Sequence, residues 1–561
     1  MTPLKEALGA GLTIALVKAG RPADPAAIEN SFEIPREERF GDLASNIAMK
    51  LKSEKQDNPR RIATEVVSHL NLSSPDLKNR IKAVKIEGAG FINFHFTDEE
   101  ISRVVEEILT NKETFGKPSS THKENILLEF VSANPTGPLT VAHGRQAALG
   151  DSLARILRFA GHRVTTEYYN NDEGVQIDTL GRSMRLWLRR KWGETVEFPE
   201  TFYRGAYLEA VADGLLAERG AALKKTPSDK LDEICSNYAK EKILEEIRGD
   251  LAAFDVRFDG YYSQAALARS GRVETALEEL AKRGHVFEGE GATWLRTTPF
   301  GDDKDRVLVK SDGSYTYLSP DIAYHHEKFE RGFDELINIW GPDHHGYIPR
   351  LKASQAALGH DPARVRILIA QLVTLYEGAK QVRMSTRAGE FVTLRQILDE
   401  VGKDAGRFFF VMRKFDAHLD FDLALAKSLT PENPVFYIQY AHARIESIKK
   451  TAADAGARHA VPLRDAPFDA NLLRAPEEMR LMRLLWQYED HVRGAVLTLE
   501  PFRLVPYLMD LAATFHRFYT ECRVVTEDAD LSRARLALAA ATQAVIRSGL
   551  NLLGVSAPLK M

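Results

Sequence analysis

Four short stretches of this chain carry side chains that could do chemistry. Glu129 interrupts an apolar run, residues 126–131. A carboxylate in such a run is costly unless a cation or hydrogen-bond donors satisfy it. A planar guanidinium would do so with two parallel N–H groups, and so would an internal Lys or Arg. Asp321 follows Pro320 at the head of a predicted helix, residues 322–329, where an acid also suits the first turn. Residues 132–138 form a loop of small residues and prolines that leads into a helix. A helix N-terminus offers unpaired N–H groups to phosphate. Thr140 and His143, about one turn apart, share a face there and can both donate to phosphate oxygens. Arg383-Met384-Ser385-Thr386-Arg387 concentrates cations, as a phosphate-binding loop or a basic surface turn would.

These residues need elements to hold them. A continuous apolar strand at 126–131, the loop 132–138, a helix at 140–160 stopped by Gly161, and a strand at 163–168 make a βαβ unit. The expected fold is multidomain α/β, with a Rossmann-type parallel sheet whose ligands gather at the carboxyl ends of the strands. Residues 180–283 read as a mainly helical, charged insertion, with strand material resuming at 292–296, 305–309, 335–340 and 366–375. Ahead of the sheet lies a small α+β unit, with helices at 3–18, 43–52 and 59–70 and strands at 83–87 and 91–96; the polar stretch 117–123 reads as a linker. From residue 404 onward the pattern is helical, with no strong strand signal. The predicted boundaries are 1–115, 116–425 with the insertion at about 187–290, and 426–561.

Composition narrows the class. The chain has 561 residues, 44% hydrophobic and 27% charged, with a net charge of −4. It is globular, and a nucleic-acid partner would have to be met by a local basic face. Two distant cysteines, Cys235 and Cys522, argue against a disulfide scaffold and for a reducing, cytoplasmic setting. Leu4, Leu8, Leu12 and Leu16 recur every fourth residue, as in an amphipathic helix rather than a signal peptide, and no apolar run is long enough to span a membrane. Asp343-His344-His345 is a poor metal set without a third distant ligand, so no dedicated metal site is expected.

The motifs, in order, resemble the arginyl-tRNA synthetase family of class I aminoacyl-tRNA synthetases. Residues 139–145 are similar to its HIGH motif, with Thr140 for the first histidine and Ala142 for the glycine. Residues 383–387 are similar to its KMSKS loop, with Arg383 and Thr386 for the two lysines; Gly137 stands where some relatives carry a compensating lysine. Asp404-Ala405-Gly406-Arg407, at the start of the helical third, is close to the DALR signature. The N-terminal unit and the segment 433–444 also match the family. The resemblance implies ATP-dependent activation of L-arginine and its transfer to tRNA. It implies that Glu129, Ser132, Asn134, Tyr317, Asp321 and His344 hold arginine. It puts Thr140, His143, Arg383, Ser385 and Arg387 in catalysis, and Pro135, Thr136, Gly137, Ala142, His143, Gly144 and Met384 at ATP. Tyr437, Tyr440, Arg444, Met561, Asn46 and Phe91 are expected to meet tRNA, with Lys449 beside them for phosphates. Tyr437 and Tyr440 are equally well spaced for core packing. ATP is a substrate, Mg²⁺ arrives with it, and a monomer is expected.

Two other readings stay open on sequence. Another class I specificity, such as cysteine, would need a zinc-binding cysteine set, which the chain lacks. An inactive RNA-binding paralogue would account for Thr140, Ala142 and Thr386, and arginine attachment to tRNA discriminates it.

Overall fold

The computed structural model describes residues 3–35, 37–51, 58–118, 123–378, 380–382, 392–459 and 467–561. The loop holding Arg383, Met384, Ser385 and Arg387 lies outside them. The chain divides into two compact units, one of residues Met1–Thr121, Thr430–Leu552 and Ser556–Met561, the other of His122–Leu429 and Leu553–Val555.

The second unit is built on a five-stranded parallel sheet, ordered Val365–Ile369, Glu335–Trp340, Asn125–Glu129, Arg163–Asn170, Gly260–Ser263. The chain runs outward from the central strand in one direction, then returns to build the other half. The order therefore reverses beside Glu129, where a crevice must open. The central strand is buried on both faces, which explains its unbroken Ile126, Leu127, Leu128. The helix Val141–Ala160 follows, ended by Gly161 at φ 102°, a left-handed cap that suits glycine.

Several expectations change here. The strand Gly260–Ser263 closes the sheet's edge from inside the range read as insertion; four residues, three of them polar or aromatic, give too short a pattern to see. Ala292–Leu295 and Arg306–Val309 belong instead to a separate antiparallel sheet with Val286–Gly289. The run 366–375 is two strands, Val365–Ile369 and Val373–Glu377. The second pairs with Leu419–Asp422, a strand in the part expected to be helical, where Asp420 and Asp422 alternate with buried Leu419 and Phe421.

In the first unit, a four-stranded antiparallel sheet, Phe32–Glu33, Leu43–Ser45, Phe91–Phe96 and Ile81–Glu87, packs with the helices Pro3–Lys18 and Pro59–His69. Residues 43–45, expected as helix, form a strand, and only Ile47–Lys50 is helical. Leu4, Leu8, Leu12 and Leu16 are all buried, as their spacing requires. The helical part contains Pro434–His459, Pro476–Trp486, Tyr488–Thr498, Leu504–Glu521 and Ala529–Leu552. Asp42 joins the two parts: its carboxylate takes the Phe96 N–H at 2.8 Å and the Arg483 guanidinium at 2.8 Å. Among the described residues no helix is long and apolar enough to cross a membrane.

Candidate active site

The crevice is lined first by the end of the central strand. After Glu129 the backbone turns through Val131 at φ 67° and Ser132 at φ 40°. A β-branched residue in the left-handed region is a true outlier, and such strain gathers at functional sites. Side chains hold the turn. The Ser132 hydroxyl donates to Glu129 Oε1 at 3.0 Å and accepts the Tyr169 N–H at 3.1 Å. Glu129 is buried, and its other oxygen takes the Lys328 ammonium at 2.6 Å. The internal ion pair that the strand's sequence left open is therefore present. Lys328 is fully buried; it also donates to Asn338 Oδ1 at 3.1 Å and lies 4.0 Å over the Tyr324 ring.

Asp321 opens the helix Leu318–Glu330 and faces the same space. The Tyr347 hydroxyl donates to its Oδ2 at 2.6 Å. Burial pushes the Asp321 carboxyl up to about 6, with Tyr347 and Lys328 pulling down and the Glu129 charge adding upward pressure. Both carboxylates also raise the Tyr169 hydroxyl, after its own burial. Glu129, Ser132 and Asp321 thus gather at one place, beside the tilted rings of Tyr169 and Tyr324, 4.6 Å apart. Beneath it, Asn338 bridges Lys328 and His325, and burial keeps His325 neutral. Tyr317 is 77% exposed and His344 is also exposed, its ring 5.8 Å from Trp340. The Asn134 amide donates to Gln176 Oε1 at 2.7 Å.

The nucleotide half begins at Thr140, the N-cap of Val141–Ala160, one residue later than the expected helix start. Its N–H donates to His143 Nδ1 at 3.1 Å. Burial holds the His143 imidazole down to about 4, so the ring is neutral at pH 7. With Nδ1 accepting, its one proton sits on Nε2, which is left as a donor. Ala142 is half-buried. Gly144 is packed tightly: a Cβ there would meet Leu394 Cδ1 at 2.9 Å and Phe410 Cε2 at 3.2 Å, so helix contact demands the glycine. The loop of Pro135, Thr136 and Gly137 is braced by Tyr207, whose hydroxyl donates to the Thr136 carbonyl at 2.6 Å. Just past the basic loop, Val392 O accepts the Val141 N–H at 3.1 Å and the Leu394 N–H donates to Leu139 O at 2.8 Å. The start of the helix Val141–Ala160 is thereby tied to the segment that begins Leu394–Val411.

Comparison with known proteins decides the family. The chain matches the family described as tRNA synthetases class I (R), catalytic domain, over residues 104–414, flanked by the arginyl tRNA synthetase N terminal domain over 4–96 and the DALR anticodon binding domain over 438–561. The arginine–tRNA ligase of Syntrophotalea carbinolica is 46% identical over 534 residues, covering 95% of both chains. That of Listeria monocytogenes is 44% identical over 548 residues, covering 98% of this chain and 97% of its own. The chain belongs to the arginyl-tRNA synthetase family. The fold is also that of Thermus thermophilus arginyl-tRNA synthetase, with a TM-score of 0.77 and 23% identity over the full length of both. Like other class I synthetases it uses ATP.

Against the synthetase frame, one motif moves. Asp404–Arg407, expected at the start of the anticodon-binding helices, lies in Leu394–Val411 of the catalytic unit. Arg407, wholly buried, donates to Asp151 and to the carbonyls of Phe254 and Leu553 at 3.0 and 3.1 Å. Helical periodicity alone could not say which unit that helix serves.

The expected tRNA contacts lie in the first unit. Tyr440, part-exposed, stacks on Phe436, and Arg444 donates to the hydroxyls of Tyr440 and Tyr519 at 3.2 and 3.3 Å. Tyr437 is half-buried against His516. Lys449 is engaged by Glu446 and Gln543. Met561 is exposed, after a tail held by Gln439 at Ser556 O and His442 at Pro558 O. Asn46 donates to Glu33 at 2.9 Å, and Phe91 is half-buried in its strand.

Sequence reasoning missed Lys328, Tyr347, Tyr169 and Tyr207. Lys328 stands seven residues after Asp321, hence on the same helix face, a signal that was available. Tyr347 directly follows the Asp343–Gly346 stretch. Tyr207 gave no signal, because its partner is a backbone carbonyl about seventy residues away.

Proposed function

We propose that this arginine–tRNA ligase takes the guanidinium of L-arginine between Glu129 and Asp321, with Tyr317, Ser132, Asn134 and His344 completing the amino-acid site. The supporting observation is the pairing of two carboxylates in one buried pocket at the sheet's switch point, each already ordered by its own neighbour, Lys328 or Tyr347. A planar cation with several N–H donors fits such a pair; a neutral side chain would leave the charge unanswered.

In this reading ATP lies along Pro135, Thr136, Gly137, Ala142 and Gly144, with its phosphates at Thr140 and His143 and at Arg383, Met384, Ser385 and Arg387. Mg²⁺ enters as the counter-ion of ATP, held by phosphates and water. An arginine carboxylate oxygen attacks the α-phosphorus as the bond to the pyrophosphate oxygen breaks. The arginyl group then passes from the adenylate to the terminal ribose hydroxyl of tRNA, releasing AMP. No group on the protein bonds to the substrate; positioning and charge stabilisation carry the rate. Neutral His143 contributes an Nε2–H donor rather than a charge. The tRNA is met by the aromatic and basic face of Tyr437, Tyr440 and Arg444, by Met561, and by Asn46 and Phe91. The reading takes the enzyme to act as a monomer in the cytoplasm.

Glu129→Gln with Asp321→Asn tests it. Arginine-dependent exchange of pyrophosphate into ATP, run with tRNA present, should fall at least about 100-fold, since each lost charge-assisted pair is worth about 1.5–3 kcal/mol. A double variant that kept the parent's KM for arginine would end the assignment. Running the exchange without tRNA as well shows whether activation waits for tRNA.

A further inference from the structure

The pocket's charges do not stop at its two carboxylates. Glu129 and Asp321 each carry one negative charge when ionised, and a single guanidinium answers only one. Every element around them contributes something. The helix Leu318–Glu330 supplies Lys328, neutral His325 and Tyr324, with Arg331 just past its end; the strand Glu335–Trp340 supplies Asn338; the strand Arg163–Asn170 supplies Tyr169 and Glu167; Tyr347 comes from the turn beyond Trp340. Glu167 is closed off by Arg331 through two hydrogen bonds, at 2.7 and 2.9 Å, so that pair sums to zero. Lys328 alone is left to offset Glu129.

The geometry is that of a fixed counter-ion. Lys328 Nζ has no route to solvent; it is fixed by Glu129 Oε2, by Asn338 Oδ1 and by the face of Tyr324. It takes one oxygen of Glu129 while Ser132 takes the other, so the carboxylate is aimed before any ligand arrives. Each carboxylate oxygen can accept more than one donor, so a guanidinium fork still finds acceptors.

We propose that Lys328 is a positioning residue that matches the pocket's charge to one guanidinium, so that arginine enters without exchanging a proton. The inference rests on the assignment of Glu129 and Asp321 to the arginine side chain. Without the ammonium, two carboxylates that already act on each other electrostatically would hold a proton between them, as close acid pairs do. Arginine would then have to expel that proton to bind.

Calorimetric titration of arginine into the full-length enzyme, in two buffers of different ionisation enthalpy at about pH 7.5, counts the protons directly. The parent should exchange none; release of about one proton by the parent overturns the proposal whatever the variants do. Lys328→Met should release about one. Its KM for arginine should fall about tenfold per pH unit between about pH 7 and 9, where the parent is flat and kcat changes little. Lys328→Arg, which keeps the cation, should restore the flat profile. A folded Lys328→Met enzyme with the parent's proton count and profile makes the residue merely structural. If Lys328→Met does not fold, the proton count of the parent and the profile of Lys328→Arg decide. Glu129→Gln separates the layers: an unchanged KM there sinks the pocket assignment itself, whereas a raised KM with a normal Lys328→Met sinks only this inference.

Discussion

Tyr347 and Asp321 share a 2.6 Å hydrogen bond in which the phenol donates and the carboxylate accepts. Such a bond favours the charged acid, yet burial outweighs it and leaves the carboxyl near 6, above its ordinary 3.8. Below about pH 6 the empty enzyme therefore holds the neutral form, and the stability it lends is lost as pH climbs through about 4 to 6. A bound guanidinium reverses the preference. KM for arginine should rise about tenfold per unit as pH drops below about 6 and stay level above 7. Tyr347→Phe, lacking the donor, should move that bend to higher pH. Exchange kinetics from pH 5 to 8 read both, and a parent profile flat to pH 5 would dispose of the idea.

His143 is neutral because it is buried, which makes its role one of hydrogen bonding rather than charge. His143→Ala should cost about 100-fold in the rate of pyrophosphate exchange, the usual size for one lost donor to developing charge. His143→Asn keeps an N–H and should recover part of it. Between about pH 6 and 8 the parent's kcat should show no bend from this ring. A kcat bend near 6.5 that vanished in His143→Asn would show the ring titrating, contrary to its burial.

Gly144, placed along ATP in the proposed reading, also packs against Leu394 and Phe410. Gly144→Ala should therefore act on stability first, by about 1–3 kcal/mol from overpacking, with ATP KM changing less than the melting temperature suggests. Thermal melts alongside ATP titrations distinguish the two. An unchanged melt with a strongly raised ATP KM would show that nucleotide contact, not packing, demands the glycine.

How far the sequence alone reached follows from the range of each interaction. The helix Pro3–Lys18 and the unit Asn125–Asn170 were legible because their apolar spacing is local and long. Glu129 was legible because a charge inside an apolar strand demands a partner, though not which partner; Lys328, 199 residues on, answers it. Leu419–Asp422 was invisible since only two apolar residues report its pairing. Residues 43–45 carried helical spacing that a neighbouring strand, Phe91–Phe96, overruled. Tyr317 and His344 came from family likeness, and no local pattern could have said that both would face solvent.

The Tyr207 brace changes what the inserted helices are for. Stretches grafted into a sheet protein can ordinarily be trimmed at little expense to the core. Here a phenol from the graft completes the hydrogen bonding of the Thr136 carbonyl, and its ring lies against Gly137, where an added Cβ would sit 3.3 Å from the hydroxyl. A shortened descendant that lost this tyrosine would have to find another donor for that oxygen, or let the loop go slack. A region free to drift in length is thereby tied at one tyrosine to the least negotiable part of the molecule.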